Sequence, residues 1–92
     1  MLINFEAVGS LREHFGSEVV SVEMNNEEKI ADILIIIKEK WGEVIPAFMW
    51  DTTKNDFRGP IIILVNGTVQ MNRAFVLHQG DFIQLRKVMV GG

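Results

Sequence analysis

The sequence predicts an α+β domain in which a mixed sheet of four to five strands packs one face against a single main helix. Three observations carry that expectation. Ile30, Ile33, Leu34, Ile37 and Trp41 recur at the i, i+3, i+4, i+7, i+11 spacing of one buried helical stripe. Ile61-Ile62-Ile63-Leu64-Val65 is apolar at every position, as a strand covered on both faces is. Directly behind it stands Asn66-Gly67, the strongest short hairpin signal, because a type I′ turn needs positive φ at both central residues.

The elements follow in order. Residues 2–8 alternate weakly through Leu2, Ile3, Phe5, Ala7 and Val8, a first strand. Ser10-Leu11-Arg12-Glu13 fits the S-x-x-E capping box, and Gly16 offers a left-handed end to the short helix it would start. Residues 18–24 place Val20, Val22 and Met24 on one face and Val19, Ser21 and Glu23 on the other, a half-exposed antiparallel strand. Asn25 and Glu28 form an N-x-x-E box, so the main helix is expected from Asn26 to Trp41, with Gly42 as its stop. Residues 43–60 hold Pro46, Asp51, Asn55, Asp56 and Gly59-Pro60 and read as a long loop with one helical turn after Pro46. Its Ile45, Phe48, Met49, Trp50 and Phe57 form a satellite cluster on this reading. Thr68 to Met71 return from the hairpin, Gln79-Gly80-Asp81 is a second turn, and Phe82 to Val90 is the last strand.

Period two on that strand separates Ile83, Leu85 and Lys87 from Phe82, Gln84, Arg86, Val88 and Val90. Ile83 and Leu85 belong to the core, which turns Phe82, Gln84 and Arg86, and after them Val88 and Val90, towards solvent or a partner. Crossover handedness and burial then make the first and last strands parallel neighbours near the middle of the sheet. This is a β-grasp, or ubiquitin-like, arrangement, with residues 1–90 as its single domain and 91–92 as a tail.

Composition excludes several functions. At 92 residues the chain makes one domain, and 48% apolar with 23% charged residues is ordinary for a soluble globular protein. Apolar runs reach five residues, far short of the roughly 20 of a membrane span, and the start lacks a basic, then apolar leader. A cytoplasmic protein without membrane contact is expected. Cysteine is absent, so any thiol chemistry has to come from a partner. Net charge is −3, with nine acids and four bases in residues 1–45 and three acids and five bases in residues 46–92. Nucleic-acid binding is not expected of such a chain, whereas Arg73, Arg86 and Lys87 suit an acidic partner surface. His14 and His78 have no metal-ligand spacing, and Asp51, Asp56 and Asp81 read as turn acids. No catalytic residue and no metal site emerges, and an enzyme is not expected.

The remaining feature is Gly91-Gly92 behind the last strand. Two residues without a Cβ can enter a narrow channel in another protein and present a carboxylate unshielded. The same pair is equally a frayed chain end.

With Leu11-Arg12-Glu13 before Gly16, the hairpin Ile63 to Gly67, Leu77 followed by Gly80-Asp81, and the closing Gly91-Gly92, the chain resembles the MoaD/ThiS family over nearly its whole length. That family holds the small subunit of molybdopterin synthase and the sulfur carrier of thiamin synthesis. The synthase subunit ends in Phe-Pro-Pro-Val-x-Gly-Gly, where this chain reads Arg86-Lys87-Val88-Met89-Val90-Gly91-Gly92 without proline. Thiamin carriers have the proline-free tail but are shorter, lacking the long loop.

The resemblance implies a carrier without a cofactor of its own. A ubiquitin-activating-type enzyme would use ATP to adenylate the Gly92 carboxylate, and a sulfur donor protein would convert it to a thiocarboxylate. An acceptor such as the molybdopterin synthase large subunit or thiazole synthase would then take the sulfur. Two alternatives stand beside this: a protein modifier that forms an isopeptide bond, and an interaction module whose diglycine is incidental.

Overall fold

The computed structural model describes residues 1–88. Its main sheet contains β1 (Leu2–Ala7), β2 (Val20–Glu23), β5 (Ile61–Val65), β6 (Thr68–Val69) and β7 (Phe82–Lys87), in the spatial order β2-β1-β7-β5-β6. A short helix α1 (Arg12–Phe15) follows β1, and the main helix α2 (Ile30–Trp41) follows β2. β1 runs antiparallel to β2 and parallel to β7, and β7 runs antiparallel to β5. The first and last strands are thus central and parallel, as expected.

Ile30, Ile33, Leu34 and Ile37 of α2 are buried in one cluster with Ile3, Phe5, Ala7, Val22, Ile63, Ile83 and Leu85 of the sheet. Trp41 packs at its edge, with its ring centroid 5.1 Å from that of Phe5. The stripe read from the sequence is therefore the face that packs. Ile35 is exposed on the opposite side.

Helix α2 begins at Ile30, four residues later than expected. Glu28 does accept from the Asn25 N–H at 2.7 Å, but Glu27 takes φ 66° and breaks the helical path, so this box closes an isolated turn. The true start is capped differently. Asp32 accepts from the Lys29 N–H at 2.7 Å, while the free N–H groups of Ile30 and Ala31 donate to the carbonyls of Phe75 and Arg73. Backbone from a distant loop does the work usually left to a side-chain cap. Gly42 is right-handed, not left-handed, and the helix unwinds where Val44 and Ile45 both donate to the Trp41 carbonyl.

Ser10 caps nothing. The segment after β1 is a 3-10 turn, Gly9–Leu11, that runs straight into α1, and no side chain accepts at either start. Gly16 does end α1 with φ 84°. The long loop holds the expected turn, Ala47–Met49, and also an unexpected antiparallel pair, β3 (Trp50–Asp51) with β4 (Asp56–Phe57). Strands of two residues carry no periodicity, which is why sequence patterning misses them. Ile45, Met49, Trp50 and Phe57 join the main core, with Phe57 meeting Phe15 at 6.1 Å and Trp50 at 5.0 Å between ring centroids. Phe48 does not; it is 74% exposed.

Asn66 and Gly67 take φ 51° and 84°, as a type I′ turn requires. Asn66 also clasps the neighbouring turn: its Oδ1 accepts from the Phe82 N–H at 2.9 Å and its Nδ2 donates to Asp81 Oδ1 at 2.9 Å. Asn66→Ala loses both bonds and forces alanine to positive φ, a destabilisation of about 2 kcal/mol that lowers the melting temperature by roughly 10 °C. Asn66→Gly keeps the turn and loses only the clasp, about half as much. An Asn66→Gly variant that melts with the unaltered chain would show that the clasp contributes nothing.

Candidate functional site

The strand that leads to the diglycine is held on both sides. Asn4, Phe5, Glu6 and Ala7 pair with Phe82 to Leu85, and Ile61 to Val65 pair with Lys87 to Ile83. Ile83 and Leu85 face α2 and are fully buried. Alternation therefore sends Phe82, Gln84 and Arg86 to the outer face beside Asn4, Glu6 and Ile62.

The outward residues differ in how free they are. Phe82 is half-buried between its strand neighbours. The β3–β4 pair does not cover it, since Phe57 packs against Phe15 on the helix side. Gln84 donates from Nε2 to Glu6 Oε1 at 2.9 Å, so one of its groups is already engaged. Arg86 is exposed. β7 stops at Lys87; Val88 lies beyond it, exposed, with its N–H donating to the Pro60 carbonyl at 2.8 Å. Val90, Gly91 and Gly92 lie outside the described residues.

On the helix side, the same end of β7 borders a cleft of about 230 Å³. Leu11, Met49 and Ile61 are its buried lining residues, and Glu13, His14, Phe48, Arg58 and Lys87 are half-buried or exposed ones. Sequence patterning does not find it, because its lining comes from the 3-10 turn and α1, the turn before β3, the stretch 58–61 that leads into β5, and the end of β7.

Other candidate groups are structural. Asp81 accepts from the His78 N–H at 2.8 Å, as a turn acid does. Asp56 is not just a turn acid: it pairs with Arg73 Nε at 2.8 Å, so Arg73 is not a free cation for a partner. Asp51 accepts from the Lys54 and Thr53 N–H groups, and these bonds, assisted by Arg58 and Lys54 charge, hold its pKa below 3.8. Among the described residues no group of three His, Asp or Glu side chains is placed to hold a metal ion. No described helix is long and apolar enough to cross a membrane.

No family model matches the sequence, and no curated protein matches it. Solved structures do. Small archaeal modifier protein 1 (SAMP1) of Haloferax volcanii superposes with TM-score 0.82 at 18% identity, over 100% of both chains. The chain has the ubiquitin-like β-grasp fold. Urm1 of Trypanosoma brucei gives TM-score 0.77 at 18% identity, over 99% of this chain and 95% of its own. A Pyrococcus furiosus protein described as molybdopterin converting factor subunit 1 gives 0.69 at 16%, over 92% and 94%. At such identities the likeness is one of fold, and at that level it matches the MoaD/ThiS resemblance.

Two outcomes follow from the geometry. A β-grasp chain with Arg86→Glu keeps its stability within about 0.5 kcal/mol, whereas Phe82→Ala on the half-buried site loses about 1 kcal/mol, both read by urea unfolding. Because the folded pKa of Asp51 is lowered, its contribution is complete above the ordinary carboxylate value and lost as pH falls through the lowered one. Stability of Asp51→Asn should therefore fall less steeply than that of the unaltered chain as pH drops below 3.8. Parallel acid titrations would sink this attribution.

Proposed function

We propose that this chain is a ubiquitin-like sulfur carrier whose reacting group is the carboxylate of Gly92. A carboxylate oxygen attacks the α-phosphorus of ATP held by an activating enzyme, pyrophosphate leaves, and an acyl-adenylate forms. Sulfur at the sulfide level, supplied by a donor protein, attacks the acyl carbon; AMP departs with the bonding electrons, leaving a thiocarboxylate. The chain itself supplies no acid, base or metal to these steps. It is the substrate of its partners.

One observation carries this reading: a β-grasp fold in which the sequence reaches Gly92, the second residue of Gly91-Gly92, four residues beyond Val88, just after the central strand β7. A span of that length reaches at most about 14 Å, enough to enter a narrow active-site channel while the folded body stays outside. Molybdopterin-type cofactor assembly is the favoured destination of the sulfur, supported by the likeness to the Pyrococcus furiosus protein. The likeness to an archaeal modifier protein supports a second reading, in which the same adenylate is captured by a lysine amine to form an isopeptide bond.

Intact-mass spectrometry of the protein from its native cells separates these. A form in which one sulfur replaces one oxygen identifies a carrier, and covalent adducts with other proteins identify a modifier. An unmodified chain alone identifies an interaction module. The role of Gly92 is tested by ATP–pyrophosphate exchange with the activating enzyme from the same cells. One alanine added after Gly92 moves the carboxylate about 3.5 Å and should abolish exchange without changing the melting temperature. Gly91→Val should slow exchange by placing a β-branched side chain in the channel. Equal rates for all three chains would end the proposal.

A further inference from the structure

The cleft beside the end of β7 has a composition that the fold does not explain. In a chain of net charge −3, its lining holds two permanent cations, Arg58 and Lys87, and ionisable His14, against the single acid Glu13. Among the described residues neither Arg58 nor Lys87 has a carboxylate within ion-pair distance; Arg58 Nε donates instead to the Trp50 carbonyl at 3.2 Å. The apolar part is equally incomplete. Ile45, Met49, Trp50 and Phe57 of the long loop are buried, yet Phe48, between them in sequence, stands in solvent at the cleft.

We propose that this cleft docks an acidic segment of the protein partner that handles the tail, with one large apolar side chain of that segment seated against Phe48, Met49 and Ile61. Size supports a single anchor: 230 Å³ is below the roughly 300–1,000 Å³ of pockets that enclose whole small molecules. Charge complementarity supports carboxylates flanking the anchor. Position supports the choice of partner. Gly92 lies five residues after Lys87, at most about 18 Å of extended chain, so an enzyme that engages the terminus works within that distance of Lys87 and the cleft it borders. The identity of the partner rests on the carrier reading; the chemistry of the cleft does not.

The test separates the two. A capped Asp-Glu-Phe-Glu-Asp peptide is titrated into the full ¹⁵N-labelled chain. Amide shifts should concentrate at residues 10–14, 48–49, 58–61 and 87, and weaken as salt is raised. Lys87→Glu and Phe48→Ala, both at exposed positions and expected to melt normally, should each weaken binding by about fivefold or more. A Lys-Lys-Phe-Lys-Lys peptide should not bind. Shifts elsewhere, no binding, equal binding of the basic peptide, or variants that bind unchanged would each overturn the cleft as an acidic docking site. In pyrophosphate exchange the same variants should raise KM for the chain and leave kcat alone; an unchanged KM would overturn the assignment to the activating partner. If the unaltered chain is not activated at all, the carrier reading fails, and the peptide titration still decides the cleft.

Discussion

The parallel pairing of β1 with β7 is the constraint on which the remaining structure depends. It joins segments 78 residues apart, and closing a loop of that length costs roughly 4 kcal/mol beyond a constant. Neither strand recovers that cost by backbone bonds alone. Ile3, Phe5, Ile83 and Leu85, all buried under α2, each contribute about 1.5–3 kcal/mol, enough to outweigh closure. The helix is therefore what makes the pairing stable, and the pairing is what makes β7 a central strand.

A central strand is a rigid mount. Ladder pairing holds β7 on the β1 side through Leu85 and on the β5 side through Lys87, and the Val88 amide adds one more bond to Pro60. Its start is fixed separately, by Asn66 bonded to both Phe82 and Asp81. The register of β7 is thus defined at its two ends by different devices, and a slip of one residue would send Ile83 and Leu85 to the outer face. That penalty explains why an exposed turn carries a polar clasp.

Much of this fold is legible from residue pattern, and the failures share a cause. The α2 stripe, the Asn66-Gly67 hairpin, and the alternation on β7 are local signals, and each matches the structure. The start of α2 is not local: Ile30 and Ala31 find acceptors in Phe75 and Arg73, more than forty residues away, so the Asn25–Glu28 signal closes a turn instead of opening the helix. The β3–β4 pair is too short for any period, and Arg73 is claimed by Asp56 through tertiary contact. At the site, outward residues follow from alternation, but the degree of freedom does not: Gln84 is tied to Glu6 while Arg86 is not. The cleft, assembled from four segments, leaves no pattern at all.

β7 ends with Arg86 on the outer face and Lys87 in the cleft, so the two sides of the sheet offer different chemistry at adjacent positions of one strand. The outer side is flat and mixed, with half-buried Phe82 beside engaged Gln84; the helix side is concave and cationic, with an exposed aromatic. A partner that reads only one side needs only the strand end, whereas a partner that must recognise this chain among proteins of the same fold gains most from the cleft. The sheet face is built from regular alternation that any β-grasp chain reproduces. The cleft depends on the length and packing of the 43–60 segment, and specificity is more readily stored there than on the regular strand β7.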